Sequence, residues 1–143
     1  MLSLKLMISW LFIFSVAQGQ SFRVVAFHGR GNDEAHKSFV RDALTWFSEK
    51  ERTLEFSFTA TSNWDSLNAD VLGNTDIVIF LDGRPEKEEQ RWAFQQFMEN
   101  GGAWMGFHFA AFALNGSTYP QNWNWYHIHF LGAGEYGSNT WRP

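Results

Sequence analysis

No cysteine occurs among the 143 residues. That absence excludes disulfides, thiolate metal ligands, cysteine nucleophiles and cysteine-linked lipid anchors together. Basic side chains are also sparse, 11 Lys and Arg against 15 Asp and Glu, and no run of them shares a sign. Nucleic-acid binding rests on a basic footprint that pairs with phosphates, so no nucleic-acid partner is expected. Long apolar runs are absent but for Leu6 to Ala17, LMISWLFIFSVA. A membrane-spanning helix needs about 20 apolar residues, and this run falls short. Lys5 precedes it, and Ala17-Gln18-Gly19 follows with small residues at both positions that a signal peptidase reads. The pattern predicts a secretory signal over residues 1–19, cleaved near Gly19, and an exported domain over 20–143 with no stable membrane anchor. Periplasmic or extracellular, such a domain without disulfides must be held by its core. A chain of this length buries about two thirds of its unfolded surface, which suffices.

What is present is an aromatic-rich chain, 18% Phe, Trp and Tyr, with short β-rich runs alternating with helical periods. Phe22 to Phe27 reads as a strand that stops at the turn-rich His28-Gly29-Arg30-Gly31-Asn32. Phe39, Ala43, Leu44 and Phe47 recur at helical spacing within Ala35 to Lys50, with Asn32 or Asp33 placed to cap that helix. Leu54 to Thr61 alternates like a half-buried strand, and Trp64 to Leu72 has room for a short helical turn. Asp76 to Leu81 is nearly all apolar, as in a strand covered on both faces. Pro85, Glu86, Glu88 and Glu89 suit the first turn of a further helix, with Phe94, Phe97 and Met98 as its apolar stripe and Gly101-Gly102 as its end. Ala103 to Phe107 is a fourth strand. The alternation predicts an α/β three-layer sandwich with a mostly parallel, flavodoxin-like sheet of order 2-1-3-4. Beyond Phe109 the pattern weakens. Asn122 to Tyr126 and Gly132-Ala133-Gly134 read as an aromatic-rich ordered loop, and no terminating element precedes Trp141-Arg142-Pro143. The reading is either a loose tail or the N-terminal part of a longer domain.

Ligands of open α/β sheets bind at the carboxyl ends of the strands. That rule selects His28 and His36 after the first strand, Asp82 and Arg84 after the third, and His108 after the fourth. Imidazoles with a carboxylate and a guanidinium in one crevice suit acid–base work on a polar substrate, because histidine titrates nearest neutrality. Each has a plainer reading. His28 is then a hydrogen-bonded strand end, His36 a surface residue of the first helical turn, Asp82 a turn residue before Pro85, and Arg84 a solvated loop charge. His108 stands apart, because it follows an apolar strand directly and Ala110-Ala111 leave room around it. His127-Ile128-His129 places two imidazoles on one face if extended, which zinc could use with a third ligand from elsewhere; the same alternation fits an ordinary strand or helix start. No metal ligand is therefore assigned. Trp123, Trp125 and Tyr126 suit either a stacking platform for a sugar ring or a core cluster pinning a loop.

His36-Lys37-Ser38, Asp76 to Phe80, Gln95 and Phe97 before Gly101-Gly102, Gly106 to Ala111, Trp123 to Tyr126 and Phe130 to Ala133 together carry a family likeness, by their order and spacing. From Phe22 onward the chain resembles the ThuA-like (trehalose-utilisation) family of the class I glutamine amidotransferase-like superfamily. Amidotransferases of that superfamily carry a cysteine at a sharp strand-to-helix elbow. Here Gly106-Phe107-His108 occupies the elbow, and an imidazole is no substitute for a thiolate backed by a base, so thioester chemistry is excluded. The resemblance implies a role in disaccharide or keto-sugar use, with His36 and His108 as catalytic residues, to which the strand-end rule adds Asp82. His28, Arg84, Trp123, Trp125 and Tyr126 would hold the carbohydrate. It also implies a domain that continues beyond Pro143 with further strands. The alternative is a non-catalytic sugar-binding or accessory module that keeps the elbow and has lost the nucleophile. The sequence names no oligomeric state.

Overall fold

The first strand pairs with two partners, and that pairing fixes the architecture. The computed structural model describes residues 21–111 and 118–133; the signal-like segment 1–19, Gly134 and the stretch 141–143 lie outside the described residues. Strand β1 (Phe22–Phe27) runs parallel to β2 (Phe56–Thr61) on one side and to β3 (Ile77–Phe80) on the other, and β3 runs parallel to β4 (Ala103–Gly106). The order β2-β1-β3-β4 is the 2-1-3-4 arrangement that the alternation predicts. Helix α1 (Glu34–Glu51) connects β1 to β2, a short α2 (Ala69–Leu72) precedes β3, and α3 (Glu88–Glu99) joins β3 to β4.

The apolar pattern of each strand decides where it sits. Val78, Ile79 and Phe80 of β3 are all buried, because β3 is central and covered on both faces. Alternate residues of β3 feed two cores. Val78 and Phe80 join Phe27, Trp64, Leu72 and Phe94 on the α3 side. Ile79 joins Val24, Ala26 and Val40 on the other side, against Ala43, Leu44 and Phe47 of α1. Edge strand β2 alternates between half-buried and exposed residues over most of its length. The layers are therefore helix, sheet and helix, with the larger and more aromatic core under α3.

One boundary differs from the sequence expectation. Pro85 and Glu86 do not open α3, which begins at Glu88. Glu86 turns back to pair with Arg30 at 2.8 Å, and the Gln90 side-chain oxygen accepts from the Glu86 and Lys87 amides at 3.4 Å each. An ion pair across the loops, buried on its Glu86 side, outweighs the modest gain of a carboxylate at a helix end. The other end is as expected: Gly101 takes a left-handed conformation, φ 91°, and closes α3. No helix among the described residues is long and apolar enough to cross a membrane.

Candidate functional site

The register aligns Phe27 with Phe80 and Phe80 with Gly106, so the loops leaving β1, β3 and β4 start in one row. The tightest of these turns is the one after β4. Phe107 is still extended, and its amide donates to the Phe80 carbonyl at 2.9 Å. His108 then reverses direction with φ 38°, the only described non-glycine residue at positive φ, and begins a single 3-10 turn, His108–Ala110. Such a conformation costs about 1–3 kcal/mol and clusters at functional sites. Gly106 makes the turn sterically open: a Cβ there would lie 2.1 Å from the Trp104 ring and 2.9 Å from the Ala110 methyl. The elbow thus presents His108, exposed, at the head of the sheet.

His36 reaches the same point from the first turn of α1. Its Nε2 lies 2.8 Å from Nδ1 of His108, although 72 residues separate them. Its Nδ1 lies 2.5 Å from Oδ2 of Asp33, the N-cap of α1, whose Oδ1 accepts the His36 amide at 3.0 Å. Those two hydrogen bonds, the backbone one foremost, hold the Asp33 carboxyl below the usual range, so it is ionised at neutral pH. Phe109 stacks on His36 with ring centroids 4.0 Å apart and planes 14° apart, which fixes the imidazole from the side. Asp33, His36 and His108 thus form one continuous hydrogen-bonded chain. As a site residue Asp33 went unread in the sequence, where it is only a cap. The spacing Asp-x-x-His at a helix start is the signal, since residues three apart share a face.

Asp82 lies beneath this chain rather than in it. One carboxylate oxygen, Oδ2, accepts from the amides of Gly29, Arg30 and Gly31 at 3.0, 3.1 and 3.0 Å. Its hydrogen bonds go to that loop and not to either imidazole. The loop leads directly into the cap of α1, so Asp82 determines where His36 begins. His28 closes β1: its amide donates to the Thr61 carbonyl at 3.1 Å, and its own carbonyl accepts from the Trp64 indole at 2.9 Å. With Gly31, Lys37, Arg41 and Asp82 it lines a cleft of 440 Å³, and no hydrogen bond joins its ring to the histidine pair.

Four expected substrate contacts are placed otherwise by the structure. Arg84 is not a solvated loop charge but fully buried. It donates to the carbonyl and the side-chain oxygen of Gln121 at 2.7 and 3.1 Å and lies over the Tyr126 ring at 5.9 Å. Burial of that kind ties the 119–123 segment to the end of β3 and leaves no face for a sugar hydroxyl. Tyr126 is fully buried and Trp123 nearly so, stacked on one another at 4.6 Å. The Tyr126 hydroxyl donates to the Ala110 carbonyl at 2.7 Å, pinning the elbow from below. These two rings are core, where a large apolar area gains most. Half-buried Trp125 leans on Phe130, ring centroids 5.2 Å apart, so the three rings make no open platform.

For the His127–His129 pair, the extended alternative is not the one that forms. Trp125–Phe130 is a π-helical turn, not an extended segment, and side chains two apart on a helix diverge. His127 is buried and His129 exposed, so they share no metal-facing side. Among the described residues no group of three His, Asp or Glu side chains is arranged to hold a metal. Burial, with the nearby Arg84 guanidinium, pushes the His127 imidazole below its ordinary value. The unfolded chain therefore binds that proton at higher pH than the folded one. Stability is expected to fall as pH drops below about 6.5, and His127→Phe should flatten that part of a urea-denaturation profile.

A parallel α/β sandwich of flavodoxin-like order with a strained histidine elbow defines the class of protein. The sequence profile of the ThuA family, described as trehalose utilisation, matches residues 23–142. The crystal structure of a ThuA-like protein from Bacteroides uniformis ATCC 8492 superposes with a TM-score of 0.69 at 31% sequence identity. The match covers 85% of this chain and 48% of that one, so this chain spans about half the length of its neighbour. No curated protein matches it. The chain belongs to the ThuA family.

Proposed function

We propose that this ThuA domain serves carbohydrate utilisation, acting on a disaccharide or keto-sugar by acid–base chemistry through His108 with His36 behind it. The family description supports the substrate class. The observation that carries the chemistry is the 2.8 Å contact between the His36 imidazole on α1 and that of His108 on the strained elbow. Histidine exchanges protons near neutrality, and strain held at one exposed side chain is how folds keep a reactive group in place. The cleft beside His28 and Asp82 adds a concave surface next to the loop that carries His36. The signal-like segment at 1–19 supports an exported site of action. The alternative, a binding module, leans on Trp123, Trp125 and Tyr126, of which Trp123 and Tyr126 are committed to the core.

The test uses disaccharides and their keto forms, screened first by the rise they cause in the melting temperature. A ligand at about 100 times its dissociation constant adds about 2.7 kcal/mol. For the sugar so found, His108→Ala is expected to lower turnover by about 10²–10⁴-fold, the usual worth of a general acid or base. The ligand-induced rise in melting temperature should survive. Turnover unchanged by His108→Ala would sink the acid–base reading; binding with no turnover in either protein would favour the binding module.

A further inference from the structure

We propose that the outer face of α3 around Trp92 is a carbohydrate-binding subsite, separate from the histidine pair, that takes a neutral sugar of two or more units. The ligand class rests on the carbohydrate reading above.

Trp92 is the exception among the described tryptophans. Trp46, Trp64, Trp104, Trp123 and Trp125 each pack against a phenylalanine ring. Trp92 meets no ring and no cation among the described residues, and it is 61% exposed. A single exposed apolar side chain is ordinary, so exposure alone assigns nothing. The setting does. Trp46 is nearly as exposed, but Lys50 lies over its ring at 5.7 Å. Trp92 instead lines three clefts at once, and Trp46 lines none of them.

One cleft, of 570 Å³, lies between Trp92, Glu88, Glu89 and Gln95 of α3 and the Tyr119-Pro120 segment. Arg91 holds that segment in place. Its Nη2 donates to the Pro120 carbonyl at 2.7 Å, its Nε to the Pro85 carbonyl at 3.2 Å, and its guanidinium lies over Trp123 at 5.5 Å. Tyr119, 40% exposed, thereby lines the same cleft as Trp92. A second cleft, of 370 Å³, joins Trp92 to Asn68 and Lys87, and a third, of 560 Å³, joins it to Asn100 and Gly101. A ligand seated on the indole therefore has room to extend, which suits linked sugars better than a single ring.

A pyranose has an apolar C–H face and a rim of hydroxyls. The face packs on an indole or a phenol, and the hydroxyls need acceptors and donors around it. Glu88 and Glu89 supply carboxylate acceptors and Gln95 a side-chain amide. Charge then selects among sugars. Arg91 is committed to two carbonyls, whereas Glu86, Glu88 and Glu89 all line the cleft, so an anionic sugar is repelled. The same carboxylates disfavour a protein partner, because the cores of protein interfaces are depleted of charge.

The test follows the indole N–H resonances of the nitrogen-15-labelled full chain as trehalose, maltotriose or trehalose 6-phosphate is added; Trp92→Phe assigns the Trp92 peak. Saturable movement of Trp92 with either neutral sugar is expected, with Trp46 still and the phosphorylated sugar less effective. Tyr119→Ala should raise the half-saturating concentration about tenfold. Equal movement of Trp46 and Trp92 would mark generic contact between sugar and indole and overturn the proposal. So would a still Trp92, an unchanged half-saturation in Tyr119→Ala, or a Trp92 shift that follows protein concentration rather than sugar, which marks an interface between copies. The two readings fail separately. If Trp92 responds as stated while His108→Ala retains full turnover, the subsite stands and the acid–base function fails. If turnover is lost in His108→Ala while Trp92 stays still, the acid–base function stands and the subsite fails.

Discussion

Phe94→Ala is expected to destabilise the domain by about 3–5 kcal/mol, the range found when a buried aromatic ring is cut back to a methyl group. Phe94 has no exposed surface. Its ring meets Phe80 of β3 at 4.8 Å, Phe130 at 5.7 Å, and Trp123, Trp125 and Tyr126 each at 6.2 Å. Those partners come from the sheet, from the π-helical turn and from Trp123 just before it, so the cavity would open where these segments meet α3. Rigid indole and phenol rings cannot collapse into it by rotamer changes, which places the loss high in the range. Urea denaturation measures it. Trp92→Ala on the same helix is the control: that ring is 61% exposed, and its removal should change stability by about 0.5 kcal/mol at most. A Phe94→Ala loss no larger than the control would show that the aromatic cluster does not hold α3 to the sheet.

Asp82→Ala should cost about 1–3 kcal/mol, as expected when amide donors lose the buried charged acceptor they share. The three amides that converge on Oδ2 belong to consecutive residues, Gly29, Arg30 and Gly31, so one anion gathers the loop. Alanine supplies no acceptor, so the loop must open to water. Asparagine keeps an acceptor without the charge and should recover part of the loss. The functional consequence separates Asp82 from the histidines. Loosening that loop shifts the start of α1, and with it Asp33 and His36. Turnover should therefore fall in Asp82→Ala even though the carboxylate touches neither imidazole. Full stability in Asp82→Ala, read by the same denaturation curve, would show that other contacts shape the loop.

The fold was legible because its signals are local. The unbroken apolar run Asp76 to Leu81 could only suit a strand covered on both faces, and β3 is the central strand that carries both cores. Leu54 to Thr61 alternates, and β2 is the half-exposed edge. Where a local rule met a long-range competitor, the competitor prevailed. Pro85 and Glu86 suit a helix start, but Glu86 finds Arg30 across the loops, and α3 waits until Glu88. His127 and His129 alternate as in a strand, yet packing Tyr126 into the core winds the segment into a turn.

The site was half legible for the same reason. His108 was readable from its place after an apolar strand, and His36 from the family likeness. Asp33 was readable only as a cap, since nothing in the sequence says that its second oxygen meets an imidazole. Arg84 was misplaced because a guanidinium reads as a surface group until a partner buries it, whereas for Tyr126 the core-cluster alternative is the one that forms, its hydroxyl finding a buried acceptor. Gln121 and the Ala110 carbonyl are those partners.

By itself the sequence determined the alternation of strands and helices, a mostly parallel sheet of order 2-1-3-4, the exclusion of thiol chemistry and the position of the elbow. Each follows from periodicity, from residue type or, for the elbow, from the family likeness, and each is carried by a few neighbouring residues. Only the tertiary structure decided that His36 and His108 touch, that Asp33 stands behind them, and that Asp82 holds the loop rather than a substrate. Those contacts join residues 72, 3 and about 50 positions apart, and they exist because parallel register brings the ends of β1, β3 and β4 into one row.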